Sequence, residues 1–281
     1  MTRVLLAQLA PARGRPEANL AKMERALARA RVDLAVFPEL FLTGYRVGDR
    51  THRLALRPES PTARALTDLA RSSGAHLLVG GPVEGPRAGE TSNAAIWVPP
   101  SGAIAWQTKR YLPSFGPFEE AHFFTPTDRS RAMELGRHRV GTAICYDTFF
   151  AEIFRELAAD GAELMAIISA SPVTSRRLFD KLLPARAVEN GCPVLYVNRV
   201  GVEDGIVFGG GTGVWDVRGE QIPTESTGFA ADEPEESVTV AEVDLDEPRR
   251  WRPFRPVLRD RATRPPAAGA AAPRDSGPME S

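Results

Sequence analysis

HRVGTAICYDTFFAEIFRELAADGAELMAIISAS (138–171) holds two strand-like runs on either side of a helix-like one. HRVGTAIC (138–145) is a mostly apolar run of strand length. Phe150, Ile153, Phe154 and Leu157 then recur at three- and four-residue spacing, the mark of one helix face. Gly161 suits the end of that helix, because glycine accepts a left-handed cap without steric penalty. ELMAIISAS (163–171) returns to strand. Both runs are continuous rather than alternating, as expected of strands covered on both faces.

The same alternation extends outward. Upstream, TRVLLAQLAP (2–11) reads as a buried strand, and Leu20, Met23, Leu27 and Ala30 share a helix face. VDLAVF (32–37) is a strand ended by Pro38, and a helix over 61–72 buries Ala63, Leu66 and Leu69 before exiting at Gly74. HLLVGG (76–81), NAAIWV (93–98) and AIAWQTKRYL (103–112) are further strands, the last two joined by the turn PPSG. Residues 112–128 form a loop rich in Pro, Phe and Glu. Downstream, a helix over 176–190 ends at Gly191, with Pro184 expected to kink or break it. PVLYVN (193–198), GIVF (205–208), TGVWDV (212–217) and SVTVAEVDL (237–245) close the list of strands. Early alternation followed by clustered strands predicts an α/β protein whose covered sheet is extended by antiparallel strands. One domain over residues 1–260 is expected. Residues 261–281, rich in Pro, Ala and Gly, are expected to be a disordered tail.

Composition narrows function by exclusion. The 281 residues carry 35 basic and 36 acidic side chains, so no global field favours nucleic acid or an anionic membrane. No apolar run is long enough to span a bilayer, and the N-terminus lacks a signal-peptide layout. Two cysteines make no disulfide framework, which points to a reduced, cytoplasmic setting. The one basic cluster, RRWRPFRPVLRDRATR (249–264), reads as a solvated or subunit-contacting arm. Only Lys22, Lys109 and Lys181 are lysines, so arginine serves almost wherever a positive charge is needed.

Five titratable positions invite chemistry. Cys145 sits where strand meets helix, where the positive end of a helix dipole would lower a thiol pKa and the Tyr146 N–H would be free for an oxyanion. A strand-ending cysteine is equally a small core residue, and position alone leaves both readings open. Cys192 reads as core filler. Among His52, His76, His122 and His138, none sits in a cysteine-protease context, which weakens a Cys–His pair. Glu39 stands at a strand's C-terminal end among Phe37, Leu40, Phe41 and Leu42, a poorly solvated place for a carboxylate base. Lys109 ends a strand beside Arg110, and a compact ammonium suits a single developing oxyanion better than a guanidinium. Glu119 and Glu120 lie among Phe115, Phe118, Phe123 and Phe124, so one of them should point inward.

Together these segments resemble the carbon–nitrogen hydrolase family, or nitrilase superfamily. The resemblance rests on LAVFPELFLTGY (34–45), TKRYLPSFGPFEEAHFF (108–124), GTAICYDTFFAEIFRELAADGAEL (141–164), ARAVENGCPVLYVNRVG (185–201), IVFGGGTGVWDVRGE (206–220) and RRWRPFRPVLRD (249–260), in the family's order. It implies a four-layer α-β-β-α sandwich with two mixed sheets. It also implies a Glu39–Lys109–Cys145 triad supported by Glu120, with the Tyr146 N–H in the oxyanion hole. A homodimer or larger assembly is implied, and no metal or organic cofactor.

The implied activity is hydrolysis of a small linear amide through a cysteine thioester. N-carbamoyl hydrolysis, acyl transfer to an amine and a catalytically silent scaffold are the competing readings. Asp147 resembles the amidase branches, since nitrile-cleaving relatives usually carry Glu there. The chain is also similar to the glutamine-hydrolysing domain of glutamine-dependent NAD synthetases. It departs from that domain at Gly209, where an acidic residue is usual, and at Phe115, where a tyrosine is usual. A free-standing amidase is therefore expected. Tyr45, Phe115, Tyr146 and Ser169 are the pocket candidates.

Overall fold

The computed structural model describes residues 1–85, 87–126 and 130–262. A seven-stranded sheet has the order β14 (Glu225–Ser226), β15 (Ser237–Val243), β1 (Thr2–Gln8), β2 (Leu34–Val36), β3 (His76–Glu84), β4 (Thr91–Val98) and β5 (Ala105–Thr108). A six-stranded sheet has the order β13 (Gln221–Ile222), β12 (Gly213–Trp215), β9 (Val194–Asn198), β8 (Leu164–Ser169), β7 (His138–Ile144) and β6 (Met133–Leu135). A small hairpin joins β10 (Val202–Glu203) to β11 (Ile206–Val207). Both large sheets are mixed, with β1–β2–β3 and β7–β8–β9 parallel at their centres and antiparallel strands outside.

Two-residue periodicity explains the layering. In β1, Val4 and Leu6 pack against Val140, Leu164 and Leu195 of the second sheet. Leu5 and Ala7 point the other way, to Met23 and Ala26 of α1 (Pro16–Leu27) and Leu66 of α3 (Pro61–Ser73). On the far side, Met165 and Tyr196 meet Ile153, Phe154 and Leu157 of α5 (Ala151–Ala159) and Phe179 and Leu183 of α6 (Arg176–Asn190). The result is helix, sheet, sheet, helix around three apolar layers, as the resemblance implied. Shorter helices are α2 (Thr51–Leu54), α4 (Glu120–Phe123), α7 (Glu247–Trp251) and α8 (Val257–Ala262).

Three local expectations need correction. The break offered at Pro184 does not occur: α6 continues past it, because the ring removes one backbone donor while Phe179, Leu183 and Ala187 still anchor the buried face. The chain after β7 forms a five-residue 3-10 turn over Cys145–Phe149, and α5 begins only at Ala151. GIVF contributes only the short β11, paired with β10 outside both large sheets. The expected tail at 261–281 lies almost wholly outside the described residues, apart from the end of α8.

Gly80 in β3 fixes one turn of the site. A Cβ there would stand 2.3 Å from the Pro38 carbonyl oxygen and 2.4 Å from Glu39 Cα and Leu40 N. The bare backbone lets the 38–42 turn lie directly on β3, where Gly80 N–H donates to Pro38 O (3.0 Å) and Leu42 N–H to Gly80 O (3.0 Å). All three obstacles are backbone atoms, so no side-chain rotation relieves the clash. Gly80→Ala is expected to lower stability by about 1–3 kcal/mol in urea unfolding, as overpacking does, and to displace Glu39.

Candidate active site

Three strand ends converge. Glu39 follows β2, Lys109 follows β5 and Cys145 follows β7. Lys109 continues the β4–β5 ladder by donating its backbone N–H to Asn93 O (2.8 Å). Its fully buried Nζ donates to Glu39 Oε1 (2.7 Å) and to Glu120 Oε1 (2.7 Å). Burial alone would depress this ammonium's pKa, but the Glu120 and Glu39 carboxylates outweigh it and hold the pKa above the ordinary lysine range. Lys109 is therefore a permanent cation. Glu120 is pushed upward by burial, with the Lys109 charge pulling the other way.

Each carboxylate has further donors. Glu39 Oε1 accepts from Asn93 Nδ2 (2.7 Å), and its Oε2 accepts from the Ala170 N–H at the end of β8 (2.8 Å). Glu120 accepts from the Tyr45 hydroxyl (2.6 Å) and from Asn93 Nδ2 (3.4 Å). Burial, then the neighbouring Glu120 and Glu39, hold the Tyr45 phenol well above its usual pKa, so it remains a donor. Tyr45 is held in turn by a buried ion pair. Glu203 pairs with Arg199 and accepts the Tyr45 N–H (3.0 Å) and Arg46 N–H (2.7 Å).

Cys145 opens onto a cavity and is enclosed by protein elsewhere. Its φ of 46° places a non-glycine residue in the left-handed region, a strained elbow between β7 and the 3-10 turn. Leu40, beside Glu39, has the same feature at φ 50°. The expectation of a dipole-lowered thiol fails. Burial first, then the Glu39 charge, push the Cys145 thiol far above its ordinary pKa, with Lys109 opposing. No α-helix starts at Cys145 to offset them. The resting nucleophile is a neutral thiol, and its proton must leave during attack.

Asp147 ties the cysteine elbow to the lysine segment. Its carboxyl accepts from the backbone N–H groups of Tyr111 (3.0 Å), Ile144 (3.2 Å) and Arg110 (3.3 Å). Burial nevertheless pushes its pKa up to about 7, against the Lys109 charge and these three donors. A folded-state pKa above the unfolded value favours folding most at low pH. The contribution of Asp147 is fully present below about pH 4 and is lost as pH rises to about 7. Relative to Asp147→Asn, the wild type should lose stability between about pH 4 and about pH 7. Urea midpoints for the two proteins at each pH will measure it, and a constant gap would refute it.

Among the sequence candidates, Glu39, Lys109, Glu120 and Cys145 come together. Tyr45, Phe115 and Tyr146 line the cavity. Ser169 does not line it; it is fully buried beside Cys145 and Tyr196, and Ser171 reaches the cavity instead. Sequence reasoning missed Asn93, Asp147 as a clamp, the Ala170 N–H and the Arg199–Glu203 pair. A visible signal for Asn93 was an amide opening the apolar run NAAIWV. Cys192 is buried core, as read. No group of three or more His, Cys, Asp or Glu side chains is placed to hold a metal among the described residues. No helix among them is long and apolar enough to cross a membrane.

Two mixed sheets between helix layers, with a cysteine elbow beside a lysine, define an amidase-like protein of the nitrilase superfamily. The chain belongs to the carbon-nitrogen hydrolase family, whose model matches residues 3–253. It is 33% identical over 258 residues to a nitrilase of Pyrococcus abyssi, covering 87% of this chain and 90% of that one. It is 35% identical over 253 residues to the glutamine-dependent NAD(+) synthetase of Thermotoga maritima, covering 87% of this chain and 42% of that protein. The crystallised NitN amidase of Nesterenkonia sp. AN1 superposes with a TM-score of 0.75 at 29% identity, covering 91% of this chain and 99% of that one. A mutant of that amidase carries acrylamide added at its active-site cysteine.

Proposed function

We propose that this protein hydrolyses the C–N bond of a small linear amide, giving a carboxylic acid and ammonia through a Cys145 thioester. The observation that carries the reading is Lys109 held between two buried carboxylates beside a strained, cavity-facing thiol. Glu39 takes the thiol proton as the sulfur attacks the carbonyl carbon. The Lys109 ammonium and the Tyr146 N–H stabilise the tetrahedral oxyanion. Glu39 returns that proton to the leaving nitrogen, the C–N bond breaks and ammonia departs. Glu39 then takes a proton from water, whose oxygen attacks the thioester. Collapse releases the acid and restores the thiol with that proton. Glu120 fixes the position and charge of Lys109. The working form is a cytoplasmic homodimer or larger homo-oligomer.

Ammonia assays and intact-mass spectra of acid-quenched mixtures test this across simple amides, N-carbamoyl compounds and nitriles. An acyl adduct on the Cys145 peptide with equimolar ammonia is expected from amides. Carbon dioxide released with ammonia would favour N-carbamoyl hydrolysis. New acyl amides formed on adding hydroxylamine would favour acyl transfer. No adduct and no ammonia from any compound would overturn the reading in favour of a silent scaffold.

A further inference from the structure

We infer that the cavity accepts a neutral, hydrocarbon acyl group, branched alkyl or arylalkyl, and rejects amides whose acyl part carries a carboxylate. This rests on the amidase reading and narrows its substrate class. The cavity at Cys145 measures about 260 Å³, at the small end for ligand sites. Its walls include Phe115, Phe118, Tyr146, Phe149, Leu178 and Phe179. Consecutive rings meet edge to face or tilted: Phe118–Phe115 at 5.8 Å, Phe115–Tyr146 at 5.3 Å, Tyr146–Phe149 at 5.5 Å and Phe149–Phe179 at 5.7 Å. The apolar surface continues outward, since Phe115 is 54% and Leu178 49% exposed.

Charge sets the stronger constraint. Among the described residues the lining contains no lysine, arginine or histidine, and its one charged residue is Glu120. Behind it, two carboxylates face the single ammonium of Lys109, which both already occupy. A substrate carboxylate would lose water beside excess negative charge with no counter-ion, a heavily penalised arrangement. The start of α6 offers no substitute. There Ser175 N–H donates to Pro172 O, and Arg176 N–H donates to Val173 O. The Arg176 side chain turns to the Gly209 carbonyl (3.0 Å) and to Asp180 (3.7 Å). Arg13 and Arg46 line a separate cavity of about 130 Å³ that shares Tyr45 and Glu120, and both pair with Asp204.

Two isosteric pairs test the inference. 4-Methylpentanamide and succinamate differ in replacing an isopropyl group by a carboxylate. Their kcat/KM values are expected to differ by at least about 100-fold in favour of the hydrocarbon, the scale set by an unpaired buried charge. Iodoacetamide and iodoacetate form a second pair that needs no hydrolysis. Relative to free cysteine, Cys145 should prefer iodoacetamide by about tenfold or more. Leu178→Arg places a cation at the half-exposed rim and should raise succinamate relative to 4-methylpentanamide by about tenfold. Succinamate turned over within tenfold of 4-methylpentanamide would overturn the inference and leave the amidase reading standing. Iodoacetate labelling as fast as iodoacetamide would overturn it as well. Failure to hydrolyse any amide, with the alkylation preference intact, would sink the amidase reading and uphold the cavity's charge preference.

Discussion

Replacing Cys145 by alanine or glycine is expected to abolish amide hydrolysis, by about 10⁴-fold or more in kcat, with the glycine variant the more stable of the two. Loss of activity follows from loss of the sulfur, since no other thiol reaches the cavity among the described residues. The stability order is the sharper test. Alanine normally exceeds glycine because glycine loses more backbone freedom on folding. Position 145 sits at φ 46°, where a Cβ is strained and glycine is not. The usual order should therefore invert, by about 1 kcal/mol. Urea unfolding of the two variants measures it. An alanine variant more stable than the glycine variant would mean that the elbow relaxes once the thiol is gone. The strain would then belong to the cysteine side chain rather than to the turn.

Lys109→Met is expected to lower stability by about 3–5 kcal/mol, the range for breaking a buried ion pair by removing one partner, and to reduce kcat by about 10³-fold or more. Methionine matches the length of the lysine stem, so the loss is of charge rather than volume. Without Nζ, the Glu39 and Glu120 carboxylates remain buried together, and they cannot both stay ionised in that setting. One takes up a proton, and the site loses a base as well as an oxyanion partner. The stability deficit should be largest above neutrality and narrow toward pH 5, where protonation relieves the repulsion. Lys109→Arg should not restore activity, because a planar fork cannot occupy the space of one ammonium between two oxygens each 2.7 Å away. A deficit independent of pH would show that packing, not charge, holds the cluster.

Much of this architecture is legible in the sequence because its signals are local. The stretches 4–7, 34–37 and 164–168 are apolar throughout, and the structure buries their strands between layers. The glutamate, lysine and cysteine are visible because each stands at the end of such a run. What stayed hidden depends on contacts between distant segments. Asn93 meets Glu39 across 54 residues, and the Ala170 N–H meets Glu39 across 131. The first pairing arises only when β2, β3 and β4 join in one sheet and the second only when the two sheets stack, and no periodicity encodes either. The state of the thiol is hidden for a related reason. The α-helix begins one turn later than the apolar spacing suggests, and the burial that dominates the thiol pKa comes from elements elsewhere in the chain.

The hydrogen bond from Ala170 to Glu39 joins an acceptor in one sheet's loop to a donor at the end of a central strand of the other. Glu39 and Lys109 extend from the seven-stranded sheet, and Cys145 from the six-stranded one. The seven-stranded sheet is itself closed late, when β15 pairs along the whole of β1. During synthesis the three groups are thus made in order, and β15 can pair with β1 only after residue 243 has emerged. Nascent chains would carry an idle cysteine from residue 145 until at least the docking of the two sheets. In refolding, recovered turnover would trail recovered secondary structure, making catalysis a clock for the last joining event.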